Sequence, residues 1–380
     1  MTPRSDNRRP AAPARMAPPM TERVLISGGA GFIGCTLAPR LLARGAEVLA
    51  FDNLHPQVHT SPGLPPRLHP GVRFVPGDVT VASNWAALFK FFQPEVVVHL
   101  AAETGTGQSL TAANRHAAVN VSGTALLLDA LVAARHVPRQ FLLASSRAIY
   151  GDGAWRDESG HVFYPAGRSR AQLDEGEWDF RGPTGLPATA LPHRAGTTIP
   201  NPISVYAATK LAQEHLLSAW CRAFGSRLTV LRLQNVYGPG QSVTNPYTGV
   251  LTLFARLSRE RRALDIYEDG EIIRDFVHVE DVASAMESAL GREGEGVRTY
   301  DVGSGAPTTI AAVARHLARR FEAPEPIVSG RFRDGDVRAA SCDITAAARD
   351  LGYAPRISIE AGLETLARSL EDPPPTSPGR

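Results

Sequence analysis

Short apolar runs separated by amphipathic stretches dominate the middle of this chain. Arg23–Ser27 (RVLIS), Glu47–Phe51, Val72–Pro76, Val96–Leu100, Gln140–Ala144 and Leu228–Leu233 are nearly continuous in apolar residues, as expected of strands buried on both faces. Between them, Phe32–Arg44, Ala112–Arg135 and Val205–Phe224 place apolar residues at helical spacing. Strand, glycine turn, helix and next strand follow one another, which predicts an α/β fold, a Rossmann-type doubly wound parallel sheet. From about Gly238 the elements shorten and turns multiply. This predicts a smaller C-terminal α/β substrate-binding lobe, mainly residues 238–370, beside a nucleotide-binding domain over 21–237. No repeat is visible that would indicate a solenoid.

Composition narrows the picture. Forty basic against 38 acidic residues leave a formal charge of +2, so the overall field gives no reason to expect nucleic acid or an anionic membrane as partner. Cys35, Cys221 and Cys342 are too few and too far apart for a disulfide framework or paired metal ligands, which points to a reducing cytoplasm and to no metal. Cys35 and Cys221 read as packing residues. The longest apolar run, Ala125–Ala134, contains Asp129 and falls short of a membrane span. Prolines gather in residues 1–20, 56–70, 165–202 and 373–378, marking tails and loops. Residues 1–20 and 371–380 are expected to be disordered extensions, the first without the apolar core of a secretory signal. Arg259-Glu260-Arg261-Arg262 reads as a solvated helix face.

The chemistry concentrates at strand ends. Gly28, Gly31 and Gly34 follow the first strand and open the first helix, so backbone N–H groups and the helix dipole converge where a pyrophosphate would sit. Asp52 ends the second strand, where a carboxylate accepts from ribose hydroxyls and repels a 2′-phosphate; this predicts NAD rather than NADP. Asp78, after the third strand, is a candidate adenine contact. Leu100, Ala101 and Ala102 follow the fourth strand, and their small or apolar side chains would let a cofactor lie against the backbone.

Tyr206 and Lys210 stand one helical turn apart on one face. An ammonium beside a phenol favours the phenolate, which can take a proton from a sugar hydroxyl. Ser145 and Ser146 follow the fifth strand, where a second hydroxyl could polarise the reacting oxygen.

Taken together, the motifs resemble those of the extended short-chain dehydrogenases/reductases, in the nucleotide-sugar epimerase/dehydratase family. The resemblance covers residues 22–365 and rests on Gly28–Gly34, His99–Ala102, Ser145–Gly151, Tyr206–Lys210, Asn235–Gly240 and Arg274–Val279. It implies Ser146, Tyr206 and Lys210 as catalytic residues, with Ser145 structural. It also implies NAD contacts at Phe32, Ile33, Asn53, Val79 and Asn120, and substrate contacts at Thr104, Arg147, Asn235, Arg274 and Arg333. Arg274 and Arg333 would grip a diphosphate. The 4,6-dehydratases of the family follow the serine with an Asp-Glu pair; Arg147 and Ala148 stand there instead, so dehydration by that route is not expected. Three stretches, Asp52–His59, Thr106–Ser109, and Gln234–Gln241 continuing at Asn245–Gly249, are similar to the 4-epimerases that act on dTDP-L-rhamnose. The implied reaction is inversion at C4 through a transient 4-keto sugar, the substrate being a dTDP-6-deoxyhexose. A 4-ketoreductase and a catalytically silent NAD-sensing protein are the alternatives. Paired helices of two subunits would form a homodimer. Between Ser146 and Tyr206 lies an insertion, residues 152–200, which reads equally as a lid over the sugar and as a solvated loop.

Overall fold

The structure, a computed structural model, describes residues 22–59, 63–242, 249–292 and 294–371. Both predicted disordered extensions, apart from Glu371, and the Asn245–Thr248 part of the quoted motif lie outside them. Seven parallel strands form one sheet: β1 (Arg23–Ser27), β2 (Glu47–Asp52), β3 (Arg73–Pro76), β4 (Val96–His99), β5 (Gln140–Ser146), β6 (Arg227–Leu233) and β7 (Val297–Val302). Their order is β7-β6-β5-β4-β1-β2-β3. The strand order reverses at β1, which pairs with β2 on one side and β4 on the other, so a crevice opens beyond the carboxyl ends of β1 and β4. Val24, Leu25 and Ile26 have no exposed surface, which explains why these runs carry no alternation.

The covering helices are α1 (Phe32–Ala43), α2 (Ala82–Phe89), α3 (Gly123–Ala133), α4 (Val205–Phe224) and α5 (Val279–Leu290). Helices α1 and α5 bury Leu37, Leu41, Val282 and Met286 against one face of the sheet. Helices α2, α3 and α4 bury Trp85, Leu127, Leu131 and Leu217 against the other. A second core, built around Phe254, Leu264, Phe276, Leu317 and Leu366, belongs to the C-terminal lobe.

Three sequence expectations change. The single helix expected over Ala112–Arg135 is interrupted: short helices at Thr106–Thr111 and Ala113–His116 lead through a widened π turn, Ala117–Ser122, into α3. That turn rotates Asn120 into the interior, a common use of a π bulge. The run Ala113–Ala133 is long and apolar enough to cross a membrane by length and composition. In this fold, however, Asn120, Thr124, Leu127 and Leu131 are fully buried in the protein core. The lobe boundary near 238 is also not clean, because α5 and β7 return to the nucleotide-binding sheet, β7 pairing with β6 from Val297 to Val302.

The insertion 152–200 is neither a loose loop nor a detached lid. Trp155–Arg156 pairs antiparallel with both Val162–Phe163 and Thr189–Ala190, and Trp155 and Phe180 form a buried cluster with Ala339 of the C-terminal lobe.

Candidate active site

At the end of β1 the chain turns on Gly28 with φ +70°, and a Cβ there would lie 2.7 Å from the Ala101 backbone nitrogen. A Cβ on Gly34 would lie 2.5 Å from the Gly29 carbonyl oxygen. Only glycine allows these approaches. Helix α1 starts after Gly31 with neither a side-chain cap nor an acidic residue in its first turn, so its free N–H groups face the crevice. Asp52 is held by the Ala30 and Leu54 N–H groups, 3.1 and 2.9 Å from its two oxygens, with His59 3.8 Å away. The crevice, about 330 Å³, is lined among others by Gly28, Gly31, Phe32, Ile33, Gly34, Asp52, Asn53, Val79, Leu100, Ala101, Ala102 and Thr104. An uncapped helix terminus, a glycine cradle and a fixed carboxylate at the next strand end suit a dinucleotide.

Two residues expected at this crevice are placed otherwise. Asp78 does not line it: its carboxylate accepts from Asn53 Nδ2 at 2.9 Å and from the Thr80 backbone and hydroxyl at 2.8 and 2.6 Å. Burial raises the Asp78 pKa, but these hydrogen bonds prevail and hold it below the usual range. Asn120 has no exposed surface. It accepts from Glu103 N and donates to the Glu103 carbonyl and to Thr209 Oγ1, at 2.8, 3.0 and 2.9 Å. It therefore clamps the crevice wall to α4.

The sequence stretches Asp52–His59 and Thr106–Ser109 meet across the mouth of the crevice. Gln57 and Gln108 exchange amide hydrogen bonds of 3.0 and 3.1 Å, and Arg115 bridges Glu103 at 2.7 Å. No individual role for Gln57, Gln108 or Arg115 is legible in the sequence, since only the fold brings them together.

Thr104 leads from the crevice to the catalytic helix, because its carbonyl touches His116, whose ring meets Tyr206 edge-on at 6.4 Å. Ser204 caps α4, accepting from Ala207 N at 3.2 Å, and so fixes Tyr206 and Lys210 in the first turns. Burial raises the Tyr206 pKa, while a hydrogen bond with Ser146 and the charge of Arg147 oppose that rise. Lys210 is buried one turn from Tyr206 and hydrogen-bonded within its own helix. Its Nζ donates to Gln213 Oε1 at 2.5 Å, and burial brings its pKa down to about 7 against the pull of Glu214. Gln213 reaches Thr124 at 2.9 Å, and Thr124 meets His99 at 3.0 Å; His99 is bonded to Ser27 on its other nitrogen at 2.6 Å. Burial keeps this histidine neutral, its pKa down to about 3.

Ser146 ends β5 and accepts from Ala148 N at 3.1 Å. Ser145 points the other way and donates to Glu214, which also binds Arg232 at 2.7 Å. The Ser145 hydroxyl thus ties β5 to α4. Arg147 donates to Asn235 Oδ1 at 3.2 Å, and burial together with nearby Arg274 brings its pKa down to about 10. Arg274 is 5% exposed and pairs with Asp336 at 2.7 Å. Arg333 is exposed, its guanidinium lying 5.2 Å over the Tyr267 ring.

Asp152, missed in the sequence, faces the same cluster. Burial pushes its carboxyl up to about 6, against Arg168, Arg274 and Arg147. A raised carboxyl favours folding below the unfolded-state value near 3.8, and that contribution is lost as pH rises through about 6. Asp152→Asn is therefore expected to raise stability at pH 7 by about 2 kcal/mol and by almost nothing at pH 4. Urea unfolding at the two pH values checks this; an equal gain at both would contradict it.

Comparison with known proteins places this site among relatives. Residues 24–168 and 185–303 match the model of the NAD dependent epimerase/dehydratase family. A dTDP-L-rhamnose 4-epimerase of Burkholderia thailandensis is 52% identical over 345 residues, 91% of this chain and 94% of that protein. The crystal structure of UDP-glucose 4-epimerase with UDP-glucose from Thermotoga maritima is 28% identical with TM-score 0.73, covering 92% of this chain and 98% of that one. The Thermus thermophilus UDP-glucose 4-epimerase complex with NAD is 28% identical with TM-score 0.72, covering 92% and 99%. With the family pattern spanning both the glycine cradle and the tyrosine helix, the chain belongs to the NAD dependent epimerase/dehydratase family.

Proposed function

We propose that the protein is an NAD-dependent nucleotide-sugar 4-epimerase acting on a dTDP-6-deoxyhexose such as dTDP-L-rhamnose. The observation that carries this reading is the placement of Ser146 at the end of β5 and Tyr206 in the first turn of α4, beyond a crevice that fits NAD, with Arg147 and Ala148 where a dehydratase would need its acid pair. The 52% identity over 91% of the chain supports the choice of sugar nucleotide.

NAD, when bound, supplies the acceptor and donor of the hydride. Gly28, Gly31, Gly34 and the start of α1 would hold its pyrophosphate, and Asp52 its ribose. Tyr206 takes the proton of the 4-hydroxyl and returns one to the keto oxygen, while Ser146 orients that oxygen. Arg147 and Arg274 offer fixed guanidinium groups to the diphosphate, and Asn235 keeps Arg147 in place. Firm hold on the nucleotide leaves the sugar free to present either face.

Leu110, Val132 and Phe224 are exposed on the helices beside the catalytic face, which supports a homodimer formed through them. Three free, buried cysteines accord with a cytoplasmic protein. The purified protein is expected to retain NAD and to epimerise dTDP-L-rhamnose without added cofactor, as followed by proton NMR across a panel of nucleotide sugars. Strict dependence on added NADPH would overturn the reading in favour of a ketoreductase.

A further inference from the structure

We propose that the insertion 152–200 is a fixed brace for the substrate-holding strand and loop of the C-terminal lobe, and that Arg168 is its principal positioning residue. The inference rests on the nucleotide-sugar reading above.

Residues 332–343 are engaged by the insertion along their whole length. Arg170 lies 4.8 Å over the Phe332 ring and pairs with Asp334 at 3.0 Å. Arg168 donates to the Asp336 carbonyl at 2.8 Å. Asp179 accepts from Arg338 at 2.7 Å. Trp155 and Phe180 pack on Ala339. His193 bridges the backbone on both sides of Cys342, its N–H to the Ser341 carbonyl and its carbonyl to Asp343 N, each at 2.8 Å. Every second or third residue of the segment thus has a partner in the insertion.

The braced segment is the one that bears on the substrate. Asp336 holds Arg274, and Ala339–Ala340 pairs in register with Ile273–Arg274, so the position of Arg274 follows the position of this segment. Arg168 has the burial and the geometry to transmit that position. Its side chain is 2% exposed, and its fork spans the Trp178 carbonyl at 3.1 Å, the Asp336 carbonyl and Glu268 at 2.8 Å. One side chain therefore ties the insertion's own turn to the loop beside Arg274. A carboxylate pair alone would need no such three-way geometry. The family model's match leaves out residues 169–184, which include Arg170, Trp178 and Phe180. Deleting residues 167–195 would uncover Ala339 and Glu268, so single substitutions are the cleaner probe.

Arg168→Ala leaves Glu268 its second partner, Arg338, at 3.1 Å, so the buried carboxylate stays compensated. The variant is expected to bind dTDP about tenfold more weakly by titration calorimetry and to raise KM for the nucleotide sugar similarly. Its kcat should stay within about twofold and its NAD content should not change, because neither Tyr206 nor the glycine cradle is touched. Arg168→Lys keeps the charge without the fork and should fall between. Arg170→Ala, at an exposed position that cannot threaten folding, should weaken dTDP binding about two- to threefold. Unchanged dTDP affinity in Arg168→Ala would overturn the proposal, and so would a fall in kcat at constant KM. If that variant does not fold, unchanged affinity in Arg170→Ala overturns it instead. A wild-type protein that binds dTDP yet turns over no nucleotide sugar would refute the functional reading and leave the brace standing; one that binds no dTDP would overturn the brace.

Discussion

Tyr206→Phe is expected to lower turnover by about 10²- to 10⁴-fold while NAD stays bound, because it removes the hydroxyl proposed to carry the proton and keeps the ring. The phenyl ring preserves the edge contact with His116 and the Ser204 cap still holds the helix start, so no packing loss accompanies the change. Release of NAD on denaturation measures cofactor content, and NMR of the sugar nucleotide measures turnover. Full activity in the variant would remove Tyr206 from the chemistry. A slow variant that had also lost its NAD would show a positional role rather than proton transfer.

Glu214→Ala should produce the largest loss of stability among these substitutions, about 3–5 kcal/mol, since it strands a buried guanidinium. Arg232 is 8% exposed and makes two hydrogen bonds to Glu214, at 3.1 and 2.7 Å, and one to the Tyr150 hydroxyl at 2.8 Å. Ser145 donates to the same carboxylate, so the end of β5, and with it Ser146, is fixed to α4 through Glu214. The melting temperature should fall by roughly 10 °C, and turnover should fall with it in whatever folded protein remains. The double variant Glu214→Ala, Arg232→Met should recover much of the stability, because the buried guanidinium is removed together with its carboxylate partner. A loss below about 1 kcal/mol in the single variant would show that water reaches the pair after all.

The nucleotide-binding half was legible because each of its strands is buried on both faces and so announces itself as an apolar run. Val24–Ile26 and Val96–Val98 have no exposure, and nothing in their neighbourhood competes with that pattern. The seventh strand escaped because its first residues, Val297–Thr299, are partly exposed and Arg298 and Asp301 break the run. The glycine turn, Asp52 and Tyr206 were readable from spacing, since each owes its place to a strand end or a helical turn, whereas Ser146 was distinguished from Ser145 only by the family resemblance. The interruption of the helix after Ala112 was not, because Asn120 is turned inward by partners on Glu103 and Thr209, 17 and 89 residues away. The same holds for Lys210: its one-turn spacing from Tyr206 is correct, but the spacing says nothing of the Gln213 amide that takes its hydrogen bond. Arg333 sits in the expected motif, and the sequence does not show that its guanidinium lies over the Tyr267 ring. The insertion was opaque for a plainer reason. Arg168 finds its carbonyl partner on Asp336, 168 residues later, and no local pattern encodes such a contact.

In the proposed reaction Tyr206 and its neighbours invert C4 with the hydrogen of that carbon never released to water. Incubating the purified protein with dTDP-L-rhamnose deuterated at C4, with no cofactor added, tests it most directly. The expected product is the 4-epimer with the deuterium still on C4. Product carrying solvent hydrogen there, or no epimer at all, would contradict it.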